Sequence, residues 1–551
     1  MRTECPKCKV DFSTYGKCPY CGRQLVEPKN RLLPILLCTV GTLAVIVLAG
    51  VALYAYSSGN IIKSAWFKFS SGTGYEVSVQ PPSSRLRGTS KPTITSEERK
   101  NLRDLFEKRQ FDPLNKAASE IQCAFEYDPS LEYRVCDFYE IFGSSLPEYE
   151  ELLNAWVAHS PSHFAPYLAR SQYYYYRGWE SRGYKYVSET SEEQFSGMRS
   201  FFQKALKDAD AALAIIPRLL SAHLIRLNIY NADGTDNQEN AAFEAARQHF
   251  PGSFLLYNAM ITAKLPRWGG SYAEMEKIAM QAYEHIRTNP EIYMLFGRIY
   301  EDQASVCMDN KQHDKAMALF TKAIRYGEYY EFFEDRARLQ LAMQKYDQAL
   351  KDASHSISLR PAKPRPYSLR ATVYLNLGDL EAAEREIRSM DAEFPGNYEI
   401  SRWKDWAARW LLNQGHTVFK GNLEDAVAWY GMAIETKPEC QEAYYWRGVA
   451  CFKLNNSSLA YTDFEQAIRL NPHDLKSYRM MDSLLASQRR WDEIIEYWNR
   501  FLSLEPDNGV AYLERAGVNR HKGDMQSALA DLKIACDLGN KKACEIQGRN
   551  R

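Results

Sequence analysis

The sequence predicts an all-α protein: a solenoid of stacked helix–turn–helix units, preceded by a small metal-bound N-terminal unit and one membrane-spanning helix. Three observations carry that prediction. Small, bulky and proline residues recur at a spacing of 34 through the C-terminal part of the chain. An uncharged apolar run covers Leu32 to Tyr56. Four cysteines stand in two CxxC pairs ahead of it. At 551 residues the chain exceeds one ordinary domain. Lys+Arg and Asp+Glu both number 69. That balance lacks the basic excess a nucleic-acid partner would call for, so none is expected.

Residues 1–30 carry too little apolar material to build a core, and a unit of that size needs a metal or disulfides to fold. Cys5, Cys8, Cys18 and Cys21 form C-x2-C-x9-C-x2-C, with Gly22 after the second pair. Each CxxC bends two thiolates around one ion, and two such knuckles complete a tetrahedral site. A redox CxxC or a pair of disulfides is the alternative, and one redox motif would not explain two tandem knuckles. The repeated Cys-Pro-x-Cys resembles the short bacterial zinc-ribbon family. The resemblance implies a closed, structural Zn2+ site on Cys5, Cys8, Cys18 and Cys21.

Leu32–Tyr56 is long enough, at about 1.5 Å per residue, to cross a hydrocarbon layer of roughly 30 Å with some tilt. Pro34 falls in the first turn, where a missing N–H costs least. A cleaved signal peptide fits less well: the run is too long and no A-x-A site follows. Lys17, Arg23, Lys29 and Arg31 precede the span, against Lys63 and Lys68 after it. This asymmetry orients the N-terminus to the cytoplasm, and zinc thiolates suit a reducing compartment. The expected location is therefore a bacterial inner membrane crossed once, with everything after Tyr56 outside the cytoplasm. Residues 57–96 are rich in Ser, Gly, Thr and Pro and read as a flexible linker.

From Glu97 the chain reads as helical. Trp410, Tyr444, Tyr478 and Tyr512 lie 34 residues apart. Ala426, Ala460, Ile494 and Ala528 keep that interval, as do Tyr430, Phe464, Trp498 and Leu532. So do Ala433, Ala467, Phe501 and Ala535, and Pro438, Pro472 and Pro506. A second register upstream holds Phe333/Tyr367, Ala349/Ala383 and Pro361/Pro395, with residues 398–406 between the two. These columns resemble the tetratricopeptide repeat, a helix–turn–helix unit of this length. A small residue lets helices A and B cross closely, a bulky one fills the gap to the next unit, and proline ends helix B. Units are expected at 330–363, 364–397, 407–440, 441–474, 475–508 and 509–542, with a looser one at 290–329. Since no unit buries its own apolar face, the solenoid 290–551 folds as a stack.

Residues 97–289 form a divergent helical domain. "FFQKALKDADAALAIIP" and "SPSHFAPYLARSQYYYYRGWESRGY" resemble a helix B and a helix A. With "LPRWGGSYAEMEKIA" they resemble an uncharacterised bacterial domain family that brings no known activity. In PRWGGS, two glycines could expose N–H groups to a ligand, but a tight turn capped by Ser271 is the favoured reading. The Tyr173–Tyr176 run reads as helix packing, and the Asp208/Asp210 pair as a solvated face.

No GxxxxGK[ST], HExxH or GxSxG occurs, so no catalytic residues, small-molecule substrate or enzyme activity are expected. An enzyme within 97–289 would need convergent acids or histidines around a deep pocket. The repeat resemblance implies instead a concave face built by the A helices that grips a peptide or helix of a protein partner. By position that face holds Leu411, Phe419, Tyr445, Phe452, Lys453, Arg479 and Arg520, with Leu375, Asn376 and His521 beside them. The expected role is a membrane-anchored interaction scaffold. The alternative is transmembrane recruitment through the zinc ribbon. Finally, "KIACDLGNKKACE" resembles the cysteine-rich Sel1-like repeats, and that resemblance implies a disulfide between Cys536 and Cys544. Two small buried thiols are the competing reading.

Overall fold

The computed structural model describes residues 74–82, 93–183, 187–234 and 236–549. The expected zinc ribbon (1–30) and transmembrane helix (32–56) lie outside them. Among the described residues there is no strand, and no helix is long and apolar enough to cross a membrane.

The chain divides into two compact units, Met1–Ala362 and Lys363–Arg551. The first contains α1 (Ser96–Glu107), α2 (Phe111–Tyr127), α3 (Glu132–Glu140), α4 (Pro147–His159), α5 (Phe164–Arg182), α6 (Glu192–Ile215) and α7 (Leu220–Asp233). It continues with α8 (Asp236–His249), α9 (Phe254–Ala263), α10 (Tyr272–Tyr283), α11 (Tyr293–Asp309), α12 (His313–Ile324), α13 (Tyr330–Ala342) and α14 (Tyr346–Leu359). The second contains α15 (Arg365–Leu377), α16 (Leu380–Glu393), α17 (Tyr398–Val418), α18 (Leu423–Thr436), α19 (Gln441–Lys453) and α20 (Ser457–Leu470). It ends with α21 (Leu475–Ser487), α22 (Trp491–Leu504), α23 (Gly509–Lys522), α24 (Met525–Asp537) and α25 (Lys541–Arg549).

Every expected repeat is a helical pair, from α11/α12 to α23/α24. The alanine and aromatic columns explain why. Ala426, Ala460, Ile494, Tyr430, Phe464 and Trp498 are all buried where helix A meets helix B of the same pair. Short polar side chains start many of the helices. Asn422, Asn456, Asp474 and Asp524 each accept a hydrogen bond from a backbone N–H in the first turn, satisfying a donor that the helix itself cannot. The break between the two registers is not a linker. Residues 398–406 form the first turns of α17, capped by Asn397 accepting from the N–H groups of Glu399 and Ile400 at 3.0 and 3.2 Å.

The expected boundary at 289/290 is crossed by one apolar core, which runs from Tyr257 and Met275 through Ile292, Phe296 and Ile299 to Phe332. In the same unit α5 and α6 form the long antiparallel pair that the sequence suggests. Asp208, read as solvated, is instead buried on α6, where Arg170 Nε and Nη2 donate to its two oxygens at 2.7 and 2.8 Å. The tyrosine run packs, with Tyr173 and Tyr174 buried. One part of the expected flexible linker is docked: residues 75–79 lie against α10, α11 and α12, with Val77 in the core.

Candidate peptide-binding surface

In the second unit the A helices present a half-buried aromatic cluster. Trp446 on α19 is its centre. The His416 ring of α17 lies 4.9 Å from it, Phe419 5.5 Å and Tyr445 5.3 Å, all edge-on. Edge-to-face geometry of this kind adds about 0.5–1.5 kcal/mol per pair beyond the buried area. The His416 ring is held in turn by Tyr430 Oη at 2.8 Å through Nδ1. Rigid aromatic rings with half-exposed faces are the usual anchors of protein interfaces.

Of the expected partner-binding residues, Phe419 and Tyr445 belong to this cluster. Phe419, Tyr445 and Phe452 pack partly buried against its core, while Lys453, Arg479 and Arg520 are exposed. Arg479 is not a lone cation: its Nη2 lies 2.6 Å from Glu514. His521 stacks on Trp491, and Asn376 donates back to its own helix at Thr372 O. Leu411 and Leu375 are corrections. They are 0% and 1% exposed, so their side chains are used up in packing. Neither can touch a partner. Sequence reasoning missed Trp446 and His416. The Tyr-Tyr-Trp run at 444–446 was the available signal.

An ion pair recurs between helices A and B of the repeats. Arg336–Asp352, Arg370–Glu386, Arg447–Asp463 and Arg515–Asp531 each join residues 16 apart. In all four the arginine Nε and Nη2 reach different carboxylate oxygens. Burial lifts the Asp463 carboxyl above its ordinary range, with Arg447 opposing it. The 475–508 unit lacks the pair and places Met481 and Tyr497 at those positions.

The remaining expected sites fall as follows. Cys5, Cys8, Cys18 and Cys21 lie outside the described residues. No group of three or more His, Cys, Asp or Glu suited to a metal occurs among the described residues. Cys536 and Cys544 are joined Sγ to Sγ, their Cα atoms 4.7 Å apart, tying α24 to α25. PRWGGS is a turn: Pro266–Trp268 is a single 3-10 turn, Gly269 has φ 94°, and Ser271 Oγ accepts from the Glu274 N–H that starts α10. A cavity of about 450 Å³ in the first unit is lined by Glu126, Asp128, Glu132, His249 and His285 among others. Its acids serve the fold. Arg218 Nε lies 3.0 Å from Glu126, Asp128 accepts from Ser130 N–H, and Glu132 accepts from Ser253 Oγ and Leu255 N–H.

Residues 442–474 match the family model of the tetratricopeptide repeat, which coincides with α19 and α20. The chain is thus all-α among its described residues and carries one segment, 442–474, that matches the tetratricopeptide-repeat model. It is 32% identical over 91 residues to heat shock protein STI1 of Saccharomyces cerevisiae, covering 16% of this chain and 15% of that one. It is 24% identical over 251 residues to the human mitochondrial import receptor subunit TOM70, covering 43% and 40%. The chain therefore spans well under half the length of these two relatives. Among solved structures it is similar to the TPR2AB-domain:pHSP90-complex of yeast Sti1, with 16% identity, 42% of this chain and 98% of that chain covered, and a TM-score of 0.19.

Proposed function

We propose that this chain is a membrane-anchored adaptor that binds a peptide or helix of a partner protein on the A-helix face of its second unit. The observation that carries the reading is the half-exposed aromatic cluster at His416, Phe419, Tyr445 and Trp446, flanked by the exposed Lys453. An apolar, rigid patch with a cationic rim favours an amphipathic segment with an acidic flank. The repeat match at 442–474 supports the same reading, because it falls on the helices that carry Tyr445 and Trp446.

In this proposal residues 32–56 anchor the chain in a bacterial inner membrane. A zinc ribbon on Cys5, Cys8, Cys18 and Cys21 lies in the cytoplasm, and both helical units lie outside it. A Cys536–Cys544 disulfide suits that oxidising side.

Site-specific photo-crosslinking tests the interface. A photoreactive residue at position 446 should trap one defined partner in cells. The same residue at Glu465, exposed on α20, should not. Lys453→Glu, exposed beside the cluster, should reduce the adduct by tenfold or more without changing the melting temperature. Equal trapping from both positions would overturn the assignment of the A-helix face.

A further inference from the structure

In the first unit a short stretch of the chain lies as a strap in a groove of the helices. Residues 75–79 run extended across α10, α11 and α12. Tyr75, Val77 and Val79 turn inward while Glu76 and Ser78 are exposed, the period-two alternation of a strand. What distinguishes this groove from ordinary packing is that side chains address the main chain of the segment. Gln303 Nε2 donates to Tyr75 O at 3.0 Å. Tyr300 Oη accepts from Val77 N–H at 2.9 Å. Glu276 accepts from Ser78 N–H at 2.6 Å. Tyr326 Oη donates to Val79 O at 2.9 Å. Three helical side chains and Tyr326, in the turn after α12, thus supply what a neighbouring strand would supply in a sheet.

Side-chain selectivity is laid over that frame. Val77 is 5% exposed in an apolar pocket. Glu76 is paired with Lys322, and it accepts from Tyr300 Oη at 3.0 Å. The Tyr75 ring lies 5.9 Å from that of Tyr272, and its hydroxyl donates to Glu276 at 2.6 Å. Ser78 Oγ also donates to Glu276. Because main-chain groups carry half of these bonds, the groove does not require this chain's own residues. It requires an extended segment with an acid followed by a β-branched aliphatic residue.

We propose that the groove between α10, α11 and α12 is a binding site for an extended peptide of another protein with the pattern aromatic–acidic–β-branched–small, and that residues 75–79 are its tethered competitor. A tether of this kind holds the competitor at an effective concentration on the order of mM. A free peptide therefore sees the groove only when the strap is released. This site is independent of the aromatic face in the second unit, and its failure would leave that reading untouched.

The test uses the full chain in detergent and a fluorescent peptide of residues 74–82, GYEVSVQPP, read by anisotropy. Val77→Asp in the chain should release the strap and tighten peptide binding at least tenfold over the unaltered chain. A scrambled peptide should not bind. Glu76→Lys, at an exposed strap position, should give the same gain if Val77→Asp impairs folding. Adding Lys322→Glu to a released chain should weaken the native peptide and favour a peptide carrying Lys in place of Glu76. A released chain of unchanged melting temperature that binds no peptide, or binds native and scrambled peptides alike, would overturn the proposal.

Discussion

His163 shows how one side chain can couple the fold to pH. Its Nδ1 accepts the Ala165 N–H at 3.2 Å and so caps α5, while Nε2 meets Ser119 Oγ at 3.0 Å. The ring must be neutral to accept. Burial lowers its pKa to about 4, and burial does the same to His223, whose Nε2 lies 3.0 Å from Pro217 O. In the unfolded chain both titrate near 6.5. Between about 6.5 and 4 the unfolded state therefore binds more protons than the folded one. Stability is complete above that window and declines as pH falls through it, by about 1.4 kcal/mol per pH unit for each histidine. Urea midpoints measured from pH 7.5 to 4.5 should fall with decreasing pH, and His223→Gln should flatten the slope. A midpoint independent of pH would contradict the assignment.

The repeating helical pair is the element on which most of this chain is built, and its columns were legible in the sequence because size and proline leave a fixed spacing. Two further columns were present but hidden. One is the Arg-to-acid pair 16 residues apart. In the sequence these residues look like surface charge, since nothing in a single strand of text says that they meet. Arg447→Ala strands the buried Asp463 carboxylate and should cost about 3–5 kcal/mol. The double change Arg447→Met with Asp463→Tyr should recover most of that, because the 475–508 unit already uses Met481 and Tyr497 there. Denaturation of both variants checks it: a double variant no more stable than Arg447→Ala would contradict the account.

The other hidden column is the loop between helices A and B. Gln344 and Gly378 share one register and Asn455, Arg489 and Gly523 the other, and all five have φ between 57° and 92°. Left-handed backbone costs a side-chain-bearing residue about 1–2 kcal/mol. Arg489→Gly should therefore stabilise the chain by about 0.5–1 kcal/mol after the entropy cost of glycine, seen as a higher melting temperature. An unchanged or lower one would contradict the strain argument. The aromatic cluster was half legible. Tyr445 and Phe419 follow from position in the repeat. Leu411 stands 34 residues before Tyr445, in the same column, and is nonetheless fully buried.

At the scale of the whole molecule the sequence divides the chain by composition, and the structure divides it by packing. The helical boundary expected at 289/290 gives way to one at 362/363, since a continuous core joins Ile292 and Phe296 to the helices before them. The strap was illegible for a related reason. Five alternating residues in a Ser/Gly/Pro-rich stretch carry no signal, and their partners lie some two hundred positions away. Its docking also shortens the tether. If Leu32–Tyr56 spans the membrane, only residues 57–74 separate the bilayer from the first docked residue. That is a reach of at most about 65 Å fully extended. The first unit would then work near the membrane surface.

The separation of the two cysteine sets by that span is the claim on which location and role both depend. Labelling intact cells with a membrane-impermeant maleimide tests it most directly. After external reduction, Cys536 and Cys544 should label without permeabilisation. Cys5, Cys8, Cys18 and Cys21 should label only after the cells are opened and zinc is chelated. Labelling of both sets under the same condition, whether in intact or only in opened cells, would contradict the account.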